Sequence, residues 1–527
     1  MKNTRVSSPA YISPTLRTAQ ASVAATASIV TFLSVAERGL GFLYRIVLSR
    51  LIGAEGLGLY QVALSVFAVF LTIGTGGLPT CVSRLIAKSK AENNPLAARQ
   101  AVSSGLTISL LCTLPVCIFL GLFAEKLPFL FSDTRCIPLF KLLLCGLTFS
   151  SLYAVLRGSF WGHKRFLLPS VLELTEEIVM VISGVLLLQN VQGATDGATK
   201  AVYAVVISYL FSFTAASVGF FITKGKLSSP RPMLKPLLFS SAPITAVRAS
   251  GSLINSAIAV LLPVMLIRAG FTPSDAVKAF GVVSGMAMPV LMIPATVIGS
   301  LALVLVPRLS EDFYAKNTQR LYSNIRRGLS VAFFIACFLS PLFFVLGKDL
   351  GLIAFGNTQA GELIQAGCPL LIPLSLTMIS TSTLNSMGFE KQTFFFFFIS
   401  AAVQLVCILF LPSVCGVYAY LIGLGASYTV NAVCNIVFIS RQCPSLFHSS
   451  TPILKSKAFH AVCASIFTGV FGYLLAPVCR TYLGEWLSPV CIGACMLTIA
   501  ILLYTLCGIF SWHGAIDAFL RRKQKSR

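Results

Sequence analysis

Apolar residues in this chain come in repeated runs separated by short polar segments. Each run is about 20 residues long, the length a helix needs to cross about 30 Å of hydrocarbon. In lipid every backbone N–H and C=O must find a partner within the chain, so such runs fold as helices. About fourteen are readable, at 24–48, 58–82, 101–123, 137–157, 168–188, 201–222, 239–267, 279–306, 328–346, 366–387, 394–412, 417–439, 458–477 and 488–510. Composition removes the soluble alternative. Only 11% of the residues are charged, against about 25% in a soluble globular protein. The fold class is therefore an all-α polytopic membrane protein. The first residues carry Lys2, Arg5 and Arg17 with no apolar core, which argues against a cleaved signal peptide.

The net charge of +23 acquires meaning from its placement. Lys and Arg gather on alternate loops: Arg84, Lys88, Lys90 and Arg99; Arg157, Lys164 and Arg165; Lys224, Lys226, Arg231 and Lys235; then Arg308 to Arg327, Lys391, Arg441 to Lys457, and the tail from Arg521 to Arg527. The intervening loops hold few, among them Arg50, Arg135, Lys348 and Arg480. The positive-inside rule then places both termini in the cytoplasm, as an even number of spans requires. No basic patch is interleaved with aromatics for base stacking, so nucleic acid is not an expected partner. The sixteen cysteines are scattered through apolar runs, where cysteine packs as a small apolar side chain. No metal or cofactor is expected.

An internal repeat is legible. Ser83-Arg84-Leu85-Ile86, a basic loop and Gly105-Leu106-Thr107 resemble Pro307-Arg308-Leu309-Ser310, a basic loop and Gly328-Leu329-Ser330. At nearly the same offset, Leu156 to Phe166 resembles Leu384 to Phe394. Both copies run the same way across the membrane, so a pseudo-two-fold axis along the membrane normal relates them. The expected organisation is an N-lobe of six helices (residues 1–235), a C-lobe of six (236–450), and two appended helices with a basic tail (451–527). Such lobes enclose a central cavity and rock to give alternating access. Gly77 and Pro79 in the second helix, matched by Pro289 and Pro294 in the eighth, are the candidate hinge, although membrane helices tolerate Gly and Pro in any case.

A charge at the centre of a membrane helix costs about 2.5–3.5 kcal/mol on insertion scales, so each needs a reason. Arg38 and Arg45 lie two turns apart on one face of the first helix, about 10 Å along its axis, and Arg248 lies in the seventh. Facing a cavity, these three form a cationic site suited to a diphosphate, because the guanidinium fork donates paired hydrogen bonds to phosphate oxygens. Alternatively Arg45 and Arg248 snorkel to opposite surfaces and Arg38 pairs with a carboxylate. Glu173, Glu176 and Glu177 share the fifth helix at spacings that group them on one face. They can carry a coupling proton, or neutralise the arginines, or in the case of Glu173 mark the cytoplasmic helix end.

The run Gly41-Phe42-Leu43-Tyr44-Arg45-Ile46, then Arg50-Leu51-Ile52-Gly53-Ala54-Glu55-Gly56-Leu57-Gly58-Leu59-Tyr60-Gln61, resembles the signature of the stage V sporulation protein B family. Gly77-Leu78-Pro79-Thr80, Leu156-Arg157-Gly158 and Glu176-Glu177-Ile178-Val179 continue the match. That family lies in the polysaccharide-transporter branch of the multidrug/oligosaccharidyl-lipid/polysaccharide exporter superfamily and is related to MurJ-type lipid II flippases. The resemblance implies a flippase for undecaprenyl-linked saccharide precursors in a bacterial cytoplasmic membrane, of lipid II type and serving spore cortex synthesis, with membrane lipids and cell-wall synthesis enzymes as partners. Two departures weaken a copied ion site: Met180 stands where relatives tend to carry arginine, and Ala259 where they often carry an acid. The alternatives are an organic-cation exporter on the same scaffold, which would be expected to present carboxylates to its cavity, or a cell-wall scaffold that transports nothing. An enzyme is disfavoured by short loops and by histidines far apart in sequence.

Overall fold

The computed structural model describes residues 14–444 and 452–509. Lys2, Arg5, His448, His513 and the tail from Arg521 to Arg527 lie outside the described residues. Among the described residues there is no strand. The helices in chain order are α1 (Pro14–Thr75), α2 (Leu78–Ala91), α3 (Pro95–Phe123), α4 (Cys136–Gly162), α5 (Leu167–Leu187), α6 (Ala194–Ile222), α7 (Arg231–Arg268) and α8 (Pro273–Phe280). There follow α9 (Met288–Leu291), α10 (Ile293–Tyr314), α11 (Thr318–Phe355), α12 (Thr358–Gly367), α13 (Leu371–Ser386), α14 (Glu390–Phe410), α15 (Pro412–Cys415), α16 (Tyr418–Gln442) and α17 (Pro452–Leu506).

Two of these, α1 and α17, fold back on themselves at a glycine. Gly53 and Gly484 have φ of 68° and 69° with ψ close to 180°, a backbone conformation open essentially to glycine alone that costs other residues about 1–3 kcal/mol. Along a straight helix Arg45 and Tyr60 would stand about 22 Å apart, yet they line one cavity. Likewise a Cβ on Gly472 would come 2.8 Å from the Met496 methyl, where a straight helix would separate them by about 36 Å. By length and composition twelve described segments can cross a membrane. The first of them turns back at Gly53, and the 21-residue α5 with its three glutamates stands outside the twelve. The expected count of about fourteen is close. The boundaries differ more: Arg84, Lys88 and Lys90 are helical in α2, because a helix can continue past the hydrocarbon where hydropathy no longer marks it.

The packing repeats as the sequence does. In the first half α2 packs on α3 and α4, α4 on α6, and α5 on α6; in the second α10 packs on α11 and α13, α13 on α16, and α14 on α16. The α17 hairpin packs on α11, and α7 lies against α1, α2 and α3. The 235/236 division expected from sequence therefore falls inside α7, a helix that begins the second half while resting on the first.

The apolar core is continuous at one end of the molecule and divided at the other. Toward Gly53 a single cluster joins Leu57 and Phe67 to Leu262, Val283, Phe355 and Leu421. At the Lys/Arg-rich end the halves keep separate clusters, one around Val82, Phe160 and Leu237 and one around Leu309, Ile325 and Leu384. The Gly53 end is closed by backbone crossing backbone: Gly58 lies against the Val277 carbonyl, and Gly281 against the Ala54 carbonyl and the Gly58 nitrogen. Polar contacts span the same seam. Arg50 donates from Nε to the Ala354 carbonyl at 2.9 Å and from Nη2 to that of Ile353. Glu55 accepts across the seam from Ser274 at 2.6 Å and is held within the first half by Arg135, which donates to it at 2.7 Å.

Candidate functional site

A cavity of 460 Å³ lies between the halves, walled by Glu37, Arg38 and Arg45 of the first arm of α1 and by Tyr60 and Gln61 of the second. Glu177 and Met180 of α5 close one side, and Pro289, Met292 and Thr296 of the second half close the other. The two-turn spacing of Arg38 and Arg45 thus puts both on the cavity wall. Both are exposed to it, and among the described residues neither makes an ion pair or a hydrogen bond. Opposite charge is present without contact. Glu37 is the neighbour of Arg38, and a Cβ on Gly41 would lie 2.8 Å from Glu177 Oε1, so that carboxylate lies against the stretch of α1 between the two arginines. The cavity therefore holds two unpaired guanidinium groups and two carboxylates, a more balanced field than the sequence implied.

A second cavity of 260 Å³ adjoins it and shares Glu37 and Glu177. Here Arg157 Nη1 donates to Glu173 Oε1 at 2.7 Å, with the guanidinium carbon 5.0 Å from the centre of the Trp161 ring. Ser212 donates to Glu176 at 2.6 Å. The three α5 glutamates therefore divide their work: Glu173 holds a cation, Glu176 a hydroxyl, and Glu177 faces the larger cavity.

Arg157 was read in sequence as one of the basic-loop charges. A usable signal was present, since only the short turn His163–Phe166 joins α4 to α5. Arg157 and Glu173 stand about equally far from that turn, so an antiparallel pair brings them level. Removing one partner of such a half-buried pair leaves the other uncompensated, at a cost of about 3–5 kcal/mol. Glu173→Ala is accordingly expected to lower the melting temperature in detergent markedly. The double variant Arg157→Leu/Glu173→Leu is expected to recover most of that loss, which a thermal-denaturation double-mutant cycle measures.

Arg248 departs from the expected trio. It does not line the arginine cavity; its Nη1 donates to the Gly76 carbonyl at 2.8 Å, and Thr245 of the same helix accepts from the Gly77 N–H at 2.9 Å. The chain breaks between Thr75 and Leu78, and a break inside a membrane needs its freed backbone groups satisfied. Arg248 does this for Gly76. Arg248→Ala is expected to cost about 1.5–3 kcal/mol, the usual worth of a charged hydrogen bond, which thermal melting checks.

The hinge candidates all fall at helix irregularities. Gly77 and Pro79 flank the α1–α2 break. Pro289 follows the π-helical turn Gly281–Ala287, and Pro294 follows the break at Met292. Of the two departures from the family pattern, Met180 lines the cavity and Ala259 is buried in the core.

Residues 23–313, more than half of the chain, match the polysaccharide biosynthesis protein family. The chain belongs to that family. Among its relatives is stage V sporulation protein B of Bacillus subtilis (strain 168), 25% identical over 359 residues, covering 65% of this chain and 69% of that protein. Lipid II flippase MurJ of the same organism is 22% identical over 333 residues, 58% of this chain and 61% of that protein. Among solved structures, lipid II flippase MurJ in an inward closed conformation superposes with a TM-score of 0.68 at 15% identity, over 92% of this chain and 99% of that one. An inward-facing multidrug resistance MATE family transporter of the MOP superfamily gives 0.64 at 15% identity, over 79% and 96%. The resemblance read from the helix 1–2 motifs is borne out at the level of family and fold, and the chain is a multi-pass membrane protein.

Proposed function

We propose that this chain translocates undecaprenyl-linked saccharide precursors, of lipid II type, across the cytoplasmic membrane by alternating access. The observation that carries the reading is the pair of unpaired guanidinium groups, Arg38 and Arg45, in a cavity walled by both halves. Two like charges this close are stabilised by an anion that reaches both, and a diphosphate offers oxygens to each fork. The sequence relatives, among them a lipid II flippase and a stage V sporulation protein, support the substrate class and a role in spore envelope assembly.

With the Lys/Arg-rich end and both termini in the cytoplasm, the closed Gly53 end faces outward and the divided end inward. The diphosphate then enters from the inner leaflet, docks between Arg38 and Arg45, and is released outward once the seam at Gly58 and Gly281 parts. Gly77, Pro79, Pro289 and Pro294 are the points where the helices bend as the lobes, residues 1–235 and 236–450, rock. Glu177 sits where it can answer the two arginines when the diphosphate leaves. A proton on Glu177 or Glu176 would couple the cycle to the proton gradient.

A second reading, export of an organic cation, draws on Glu37 and Glu177 in the same cavity. Reconstitution decides between them. In proteoliposomes wild-type protein is expected to move labelled lipid II to the opposite leaflet and to leave organic cations in place. Inactivity toward several lipid-linked saccharides, with cation efflux present, would reverse the assignment.

A further inference from the structure

A third cavity, of 230 Å³, lies at the Lys/Arg-rich end wholly within the first half, far in sequence from Arg38 and Arg45. Lys90, Arg99, His163, Arg165, Lys224 and Lys226 line it, and no Asp or Glu does. These six come from four separate segments: the end of α2, the first turns of α3, the α4–α5 turn and the α6–α7 connection. Two of the segments are shaped alike. Arg165 N–H donates to the Phe160 carbonyl and Gly225 N–H to that of Phe220, each at 2.9 Å, and Lys164 and Lys224 both take φ of 60°. These are left-handed helix-terminating turns, and they bring Arg165 and Lys226 to one cavity.

The ordinary account of basic residues at helix ends is that they set topology and answer terminal carbonyls. That account needs the charges on the right side of the membrane. It does not need them to converge, and convergence without a carboxylate raises the energy of every one of them. The N-terminus of the 29-residue α3, with Pro95 on the cavity wall and Asn94 capping the Ala97 N–H at 3.1 Å, adds the positive end of a helix dipole. The His163 ring, hydrogen-bonded to the Ser159 carbonyl at 2.9 Å, feels the same field. Burial first, and then Lys90 and Arg165, hold its imidazole below the ordinary value against that hydrogen bond.

We propose that this cavity binds the phosphate of an anionic phospholipid, separately from the translocation path. Two features favour a lipid over a soluble phosphate. Phe160, Phe220 and Val102 form an apolar floor beside the cations, which suits a glycerol stem and its first methylenes. The volume also falls below the roughly 300–1,000 Å³ usual for drug-sized ligands, as one headgroup would require, and basic pockets between helices near the cytoplasmic surface are a known way of holding such groups.

The test uses the full chain in phosphatidylcholine nanodiscs titrated with phosphatidylglycerol, with retained lipid read by native mass spectrometry. Wild type is expected to retain one phosphatidylglycerol in preference to phosphatidylcholine. Arg99→Gln/Arg165→Gln/Lys224→Gln is expected to hold it roughly 100-fold more weakly. A charge-matched control at the same end but off the cavity, Lys316→Gln/Arg320→Gln/Lys391→Gln, is expected to retain it as wild type does. Equal retention of the two lipids by wild type overturns the proposal, as does equal loss in the control. Displacement of the bound lipid by millimolar inorganic phosphate would reassign the site to a soluble anion. The wild-type comparisons stand even where the triple variant does not fold.

Discussion

Arg45→Ala is expected to reduce lipid II translocation in proteoliposomes by about 10–100-fold, and Arg38→Ala by a similar factor. Each removes charged hydrogen bonds worth about 1.5–3 kcal/mol. Neither side chain makes an ion pair or hydrogen bond among the described residues, so the loss belongs to the ligand and melting temperatures should stay near wild type. Lysine is the informative replacement. It keeps the charge and loses the planar fork, so Arg45→Lys should fall between wild type and alanine if a diphosphate is held by paired hydrogen bonds, and should equal wild type if only the field matters. Glu177→Gln gives the complementary result: inorganic pyrophosphate should bind tighter, because a carboxylate lining the same cavity no longer competes. Full transport by both alanine variants would remove these residues from the path while leaving the family and fold untouched.

What could be read from the chain beforehand, and what could not, follows from which forces are local. Membrane helices announce themselves because hydrocarbon requires about 20 apolar residues regardless of neighbours. The i, i+7 relation of Arg38 and Arg45 is likewise a property of one helix, and it placed both on one wall. Arg248 was misplaced because its partner is the Gly76 carbonyl, a backbone group freed by a break in another helix, and no periodicity within α7 reports that. The sequence alone assigns Glu37 no role, since its importance comes from lining two cavities that exist only after α1, α4 and α5 pack. That Gly77, Pro79, Pro289 and Pro294 fall at helix irregularities was legible because Gly and Pro change backbone geometry by themselves. The closed seam was not: Gly58 and Gly281 carry no chemistry, and their meaning is the space they leave for each other.

That seam gives the second large effect. Gly281→Val is expected to open the Gly53 end and to stall transport. A Cβ at Gly281 would overlap the Ala54 carbonyl and come 2.6 Å from the Gly58 nitrogen, and these are backbone atoms that no rotamer change can move aside. Overpacking a core costs about 1–3 kcal/mol, enough to shift a two-state balance by roughly 5- to 150-fold, and a backbone overlap belongs at the upper end. The Arg50 bonds to the end of α11 and the Ser274 bond to Glu55 depend on the same approach, so they are lost with it. Spin labels at Gln192 and Val414, exposed near that end in the two halves, should report a longer distance in the variant than in wild type. Gly121→Val is the matched control, since a Cβ there meets nothing within 4 Å, and it should leave both distance and transport unchanged. An unaltered distance in Gly281→Val, together with normal translocation, would mean that the halves do not part along this crossing and that the substrate leaves by another route.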